Sequence, residues 1–176
     1  MLMKRITLVR HAKADWPEAT PDFERPLHPQ GELDAPDMGQ RTRAAGVRPE
    51  RILTSNARRA LSTAEMLRTE LADDGNDIPI EQNAELYNAD FQTLVDVIRS
   101  YHDEVYHLMV VGHNPGMAHL ADCLAKDTEV HDLATCTIIS LELDIEHWRE
   151  LDCGTGRLMY YDHPRNPQPP FIRPVH

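Results

Sequence analysis

Lys4-Arg5-Ile6-Thr7-Leu8-Val9-Arg10-His11 reads as a short apolar strand that hands an imidazole to its carboxyl end, and His107-Leu108-Met109-Val110-Val111-Gly112-His113 repeats the arrangement a hundred residues later. Continuous apolar runs of this length suit strands buried on both faces. Open α/β sheets bind ligands at the carboxyl edge of such strands, so two histidines delivered there point to a built site.

Outward from these runs, helical and extended signals alternate. Polar, proline-containing residues 15–30 read as a long loop, a length that usually serves function. Gly31 to about Ala45 is weakly helical, with Pro36 in its first turn or kinking it. Arg51–Thr54 is a short strand. Ala57, Ala60, Leu61, Ala64, Leu67 and Leu71 then mark an amphipathic helix that Ser55 or Asn56 caps. Asp90 opens a helix with Phe91, Leu94, Val95 and Ile98 on one face. Asn114 and Pro115 give a cap followed by proline at the first helical position, ahead of the stripe Met117, Leu120, Ala121, Leu124. Thr135–Leu143 alternates as a strand, and Glu150–Leu151 and Arg157–Tyr161 add edge strands. This order predicts an α/β fold with a largely parallel sheet and helices on both faces. Residues 1–163 read as one domain, and 164–176, with five of the thirteen prolines, as a proline-rich tail that extends or lies along the surface.

Composition narrows the function. The chain has 176 residues, 41% hydrophobic and 27% charged, ordinary values for one globular domain. No apolar run approaches the roughly 20 residues of a membrane span, and the amino terminus lacks a signal-peptide pattern, so a soluble, cytoplasmic protein is expected. A net charge of −11 opposes binding to nucleic acid or to an anionic membrane. Three cysteines without a close pair predict buried thiols rather than a disulfide framework. A monomer is expected.

Arg10 with His11, Arg25, Arg59 and His113 all fall at strand ends or in the long loop. A single arginine is more often a solvated surface charge, and of Arg58 and Arg59 one should face solvent. Converging on one sheet edge, however, three planar guanidinium forks and two imidazoles describe a phosphate site. Helix starts near Ser55 and Asn114 would add backbone donors. Histidine pairs such as His113 with His119 or His102 with His107 are six and five residues apart, which does not place them on one helix face. No HExxH or CxxC pattern is present, so neither a metal nor another cofactor is expected.

These residues carry a resemblance. LVRHA at 8–12 resembles the signature of the histidine phosphatase superfamily, ILTSNARRALSTA at 52–64 its second block, and VVGHNPG at 110–116 its second histidine motif. RPLHPQG at 25–31 is similar to a segment of the small SixA-like phosphohistidine phosphatases. Ala12 stands where the family usually has glycine, and Asn56 where it often has proline. The resemblance implies a three-layer, phosphoglycerate mutase-like sandwich without a large cap insertion. It implies a metal-independent phosphatase in which His11 is transiently phosphorylated, Arg10, Arg59 and Arg25 hold the phosphoryl oxygens, and His113 donates to them. Ser55 and Asn114 would assist in binding phosphate. Glu85, in AELYNAD, is the family's nearest match for a general acid, with Asp15 and Asp22 as rivals. The expected substrate is phosphohistidine in a protein. A small phosphate ester or sugar phosphate is the alternative within the same chemistry, and an inactive module that only recognises phosphorylated partners is the alternative outside it.

Overall fold

The computed structural model describes residues 2–73 and 75–175. Its centre is a seven-stranded sheet in the order β3-β2-β4-β1-β5-β6-β7. The strands are β1 (Lys4–Arg10), β2 (Arg51–Thr54), β3 (Ile80–Gln82), β4 (His107–Gly112), β5 (Ile138–Leu143), β6 (Gly156–Asp162) and β7 (Phe171–Ile172). The first four run parallel, whereas β5, β6 and β7 are each antiparallel to their neighbours.

Helices α1 (Pro29–Ala44) and α2 (Arg58–Leu71) cover one face, where Met38, Ala60, Ala64 and Leu67 meet Val9, Ile52, Met109 and Val111. Helices α3 (Phe91–Arg99) and α4 (Gly116–Leu124) cover the other, where Leu94, Ile98, Met117 and Leu120 meet Ile6, Leu8, Leu108 and Val110. Side chains of a strand alternate between faces, so Ile6 and Leu8 of β1 and Leu108 and Val110 of β4 enter one core while Val9, Met109 and Val111 enter the other. Among the described residues no helix is long and apolar enough to cross a membrane.

Several local expectations are corrected. Glu150–Leu151 is not a strand: Trp148–Glu150 forms a 3₁₀ turn that buries Trp148 fully and lets its indole donate to the Val105 carbonyl. The strand expected from Thr135 begins only at Ile138, because the Cys136 amide turns in to the carbonyls of Arg10 and His11. Pro36 lies inside α1, whose start is Pro29, capped by the His28 ring accepting from the Gln30 amide. Strand β3 has only three residues and no apolar signal of its own.

The stretch after 163 is tied to the domain. Strand β7 pairs with β6, Arg165 makes a forked pair with Asp34, and Arg173 meets Asp127 at 2.8 Å. Cys123 and Cys153 form a disulfide, against the expectation of three thiols, while Cys136 is free and buried. Thirty residues separate the two in sequence, but the Gly154 amide donates to the Cys123 carbonyl and brings the end of α4 onto the turn before β6.

Candidate active site

The register of the sheet builds the site. Arg10 lies opposite Gly112, so His11 and His113 leave adjacent parallel strands side by side, with ring centroids 5.2 Å apart. The His11 amide donates to Gly112, and the Ser55 amide at the end of β2 donates to Val111. Three strand ends thus converge, as the resemblance and the parallel reading both require.

His11 is 8% exposed, and its Nδ1 lies 2.8 Å from the Ala12 carbonyl. A carbonyl can only accept, so Nδ1 carries the proton and the Nε2 lone pair is free. Burial, reinforced by the charges of Arg59, Arg10 and Arg25, pushes the imidazole down to about 4. Near neutral pH the ring is therefore an uncharged nucleophile. Ala12 is itself fully buried, and its amide donates to Thr63 Oγ1, which in turn donates to the Arg59 carbonyl. That chain of bonds ties the first motif to the second.

His113 is 3% exposed and likewise pushed down, to about 3, first by burial and then by His11 and Arg59. Its Nε2 is 2.8 Å from Ser55 Oγ, which already accepts from the Ala57 amide. With the Ser55 hydroxyl donating to Nε2, the proton of the neutral ring sits on Nδ1, an atom with no partner among the described residues. Ser55 thus holds the His113 ring through Nε2. It does not cap α2, which begins at Arg58 with no side-chain cap.

Arg59 is buried and Arg58 exposed, as the pairing anticipated. Arg59 donates to the Asp22 carbonyl at 2.8 Å and to its carboxylate at 3.2 Å, and Arg25 donates to the same carboxylate at 3.2 Å. Tyr87 adds its hydroxyl to Asp22, and Asn88 its carbonyl oxygen to Arg59. The Tyr87 hydrogen bond, then the arginines, hold the Asp22 carboxyl far below the usual carboxylate range. Asp22 is thus an ionised clamp on two arginines. Arg10 donates to the Leu133 carbonyl at 2.7 Å, while its Nε and that of Arg59 have no partner among the described residues.

One expected participant lies apart. Glu85 is exposed in a cleft with Glu81, Asp96, Tyr101 and His102 that contains neither His11 nor His113. The Asn114 side chain does not cap α4. Its amide donates to Asp132 and to the Leu133 carbonyl, and Pro115 stands at the cap position. Asp15 accepts from its neighbour's amide, and its carbonyl takes a bond from Arg25. Tyr87 escaped the sequence reading, although it lies only two residues beyond Glu85. Among the described residues, no three His, Cys, Asp or Glu side chains gather as a metal site.

Gly116 fixes the approach of α4 to this edge. A Cβ there would lie 2.1 Å from the Ala89 carbonyl oxygen, so Gly116→Ala must push two backbones apart directly behind His113. We expect a loss of about 1–3 kcal/mol, read as a lower urea midpoint at unchanged slope. An unchanged midpoint would count against this contact.

The sequence pattern of the histidine phosphatase superfamily (branch 1) matches residues 6–115. An uncharacterised protein of Mycobacterium tuberculosis (strain CDC 1551 / Oshkosh) is 32% identical over 166 residues, covering 89% of this chain and 100% of its own. The SixA structure from Agrobacterium tumefaciens is 29% identical with a TM-score of 0.72, covering 81% of this chain and 94% of that one. SixA from Nakamurella multipartitia shares the fold at a TM-score of 0.78 and 22% identity, over 93% and 97% of the two chains. With its two histidines, its arginines and its seven-stranded sheet, the chain belongs to the histidine phosphatase superfamily, in the SixA-like branch.

Proposed function

We propose that the protein is a metal-independent phosphatase that passes a phosphoryl group through His11 and acts on phosphohistidine in a protein. The observation that carries this reading is the state of His11: uncharged, with Nδ1 anchored and Nε2 free, beside two arginines and a second neutral histidine. Nε2 attacks phosphorus and the bond from phosphorus to the leaving atom breaks. The unpartnered Nε atoms of Arg10 and Arg59 and Nδ1 of His113 are donors suited to the oxygens of the transferring group. Water then releases phosphate from His11.

The leaving group selects the substrate class. An alkoxide needs a proton as it departs. The carboxylate that meets the site's arginines, Asp22, is held ionised, and Glu85 faces another cleft. A phosphorylated imidazole protonated on its other ring nitrogen departs as neutral imidazole when the P–N bond breaks, so it brings its own proton. That balance favours a phosphoramidate over an ester. The names of the SixA neighbours agree with it.

The test is phosphate release from a phosphohistidine protein and from p-nitrophenyl phosphate, each with and without a chelator. We expect faster release from the phosphohistidine protein and no effect of the chelator. Preference for the ester would replace the substrate class, and loss of activity on chelation would overturn the mechanism.

A further inference from the structure

Next to the segment that leads to Leu133 lies a cleft of about 350 Å³ that the chemistry above does not use. Its floor and far wall are apolar, formed by Val130, Ile139, Tyr161 and Phe171. Its near wall bears the carboxylates of Glu129 and Asp132 with the His131 imidazole between them, and no lysine or arginine is among the described lining residues. Glu129 is exposed and meets only His131, at 3.4 Å.

The near wall is physically joined to the site. Asp132 Oδ1 accepts from the Asn114 amide, one residue beyond His113, at 2.9 Å. The next residue, Leu133, offers a carbonyl that accepts from both Arg10 and Asn114. A chain bound with its phosphoryl group at His11 therefore has this cleft as its immediate neighbour. The far wall depends on the carboxyl-terminal strand: β7 brings Phe171 to the rim, and the Arg173–Asp127 pair pins it there.

We propose that this cleft is a docking groove for the substrate protein, taking an apolar side chain that is flanked by lysine or arginine close to the phosphorylated residue. The inference rests on the reading of a phosphohistidine protein as substrate. Apolar walls remove the aliphatic or aromatic side chain from water, and the two carboxylates on the rim select a cationic neighbour. The overall charge of −11 draws such a segment in and opposes an acidic one.

Glu129→Lys and Phe171→Ala alter the rim at exposed positions without touching His11, His113 or the arginines. For each, kcat/KM is measured on a phosphohistidine protein with a lysine-flanked leucine near the modified residue, and on p-nitrophenyl phosphate, which is too small to span both places. We expect kcat/KM on the protein to fall about tenfold, mainly through KM, and to stay unchanged on the small ester. Equal losses on both substrates, or no loss on the protein, would overturn the groove. Binding of an unphosphorylated leucine-lysine peptide, followed by anisotropy, separates this from the parent reading. If the wild type binds the peptide and Glu129→Lys does not, the groove stands even where no phosphohistidine is hydrolysed. If neither binds, the groove falls while His11 chemistry is untouched.

Discussion

On the proposed mechanism His11→Ala is expected to slow phosphate release by about 10⁵-fold or more, because the variant loses the atom that would form the covalent bond while keeping the groups proposed to hold the phosphoryl oxygens. The arginines do not depend on His11 for their positions: Arg59 is held by Asp22, Tyr87 and Asn88 surround that carboxylate, and Arg10 is held by Leu133. His113 is held by Ser55. The variant should therefore fold and still bind inorganic phosphate. Two measurements check this together: turnover, and the appearance of an acid-labile phosphoryl label on the enzyme, present in the wild type and absent from the variant. Retention of more than about a hundredth of the wild-type rate would mean that another group, or water acting directly, attacks phosphorus. Turnover by the wild type that vanishes with His11 is also what separates a phosphatase from a module that only recognises phosphorylated partners, since such a module would bind equally well before and after the change and turn over in neither case.

The parts of this architecture legible in the sequence are those governed by local periodicity. Strands β1 and β4 sit in the middle of the sheet between two helical layers, so Ile6, Leu8 and Val9 of the one and Leu108 to Val111 of the other are apolar, and the histidine that follows each strand stands out. The stripe on α2 is equally plain, and it brought Arg59 to the correct edge. What stayed hidden depends on single contacts between distant segments. The clamp on Arg59 joins Asp22, Arg25 and Tyr87 from two separate loops, and no spacing rule connects them. Asp22 was visible only as a rival acid, whereas Tyr87 and the two arginines hold its carboxyl well below the usual carboxylate range. The carboxyl-terminal stretch looked like a tail because its prolines break periodicity. Its attachment runs through Arg165, Arg173 and two backbone pairings, each of which needs a partner far back in the chain. The Cys123–Cys153 bond is hidden for the same reason. Glu85 shows the opposite failure: its place in the motif matched the family's acid, but the turn at Ala84–Leu86 buries Leu86 and leaves the carboxylate on the outer side.

Acid is expected to destabilise this protein as the pH falls below about 6.5, because three histidines are buried without charge. His107 lies at the start of β4 with its Nε2 2.7 Å from Thr7 Oγ1, which also meets Ser140 at 3.0 Å. Burial pushes it down to about 3, and His11 and His113 are pushed to about 4 and 3 by burial and by neighbouring positive charge. In the unfolded chain each imidazole takes a proton near pH 6.5, but in the native protein it does not until the lower value is reached. Between those limits the unfolded state binds more protons, so stability is full above about pH 6.5 and drains away as the pH falls toward 3. Each such histidine contributes a slope of about 1.4 kcal/mol per pH unit in the middle of that window, and three together give roughly 4. The ionised Asp22 adds to the loss at the acid end, where its pairing with Tyr87 and the arginines is protonated away. Urea titrations from pH 7 to pH 4.5 measure the slope, and His107→Gln isolates one contribution, because glutamine can meet Thr7 and does not titrate. The variant should be less stable at pH 7 through imperfect packing yet show a slope shallower by about 1.4 kcal/mol per pH unit. A slope equal to that of the wild type would mean that His107 is already protonated in the folded protein, and the buried bond to Thr7 would then have to be one in which the imidazolium donates.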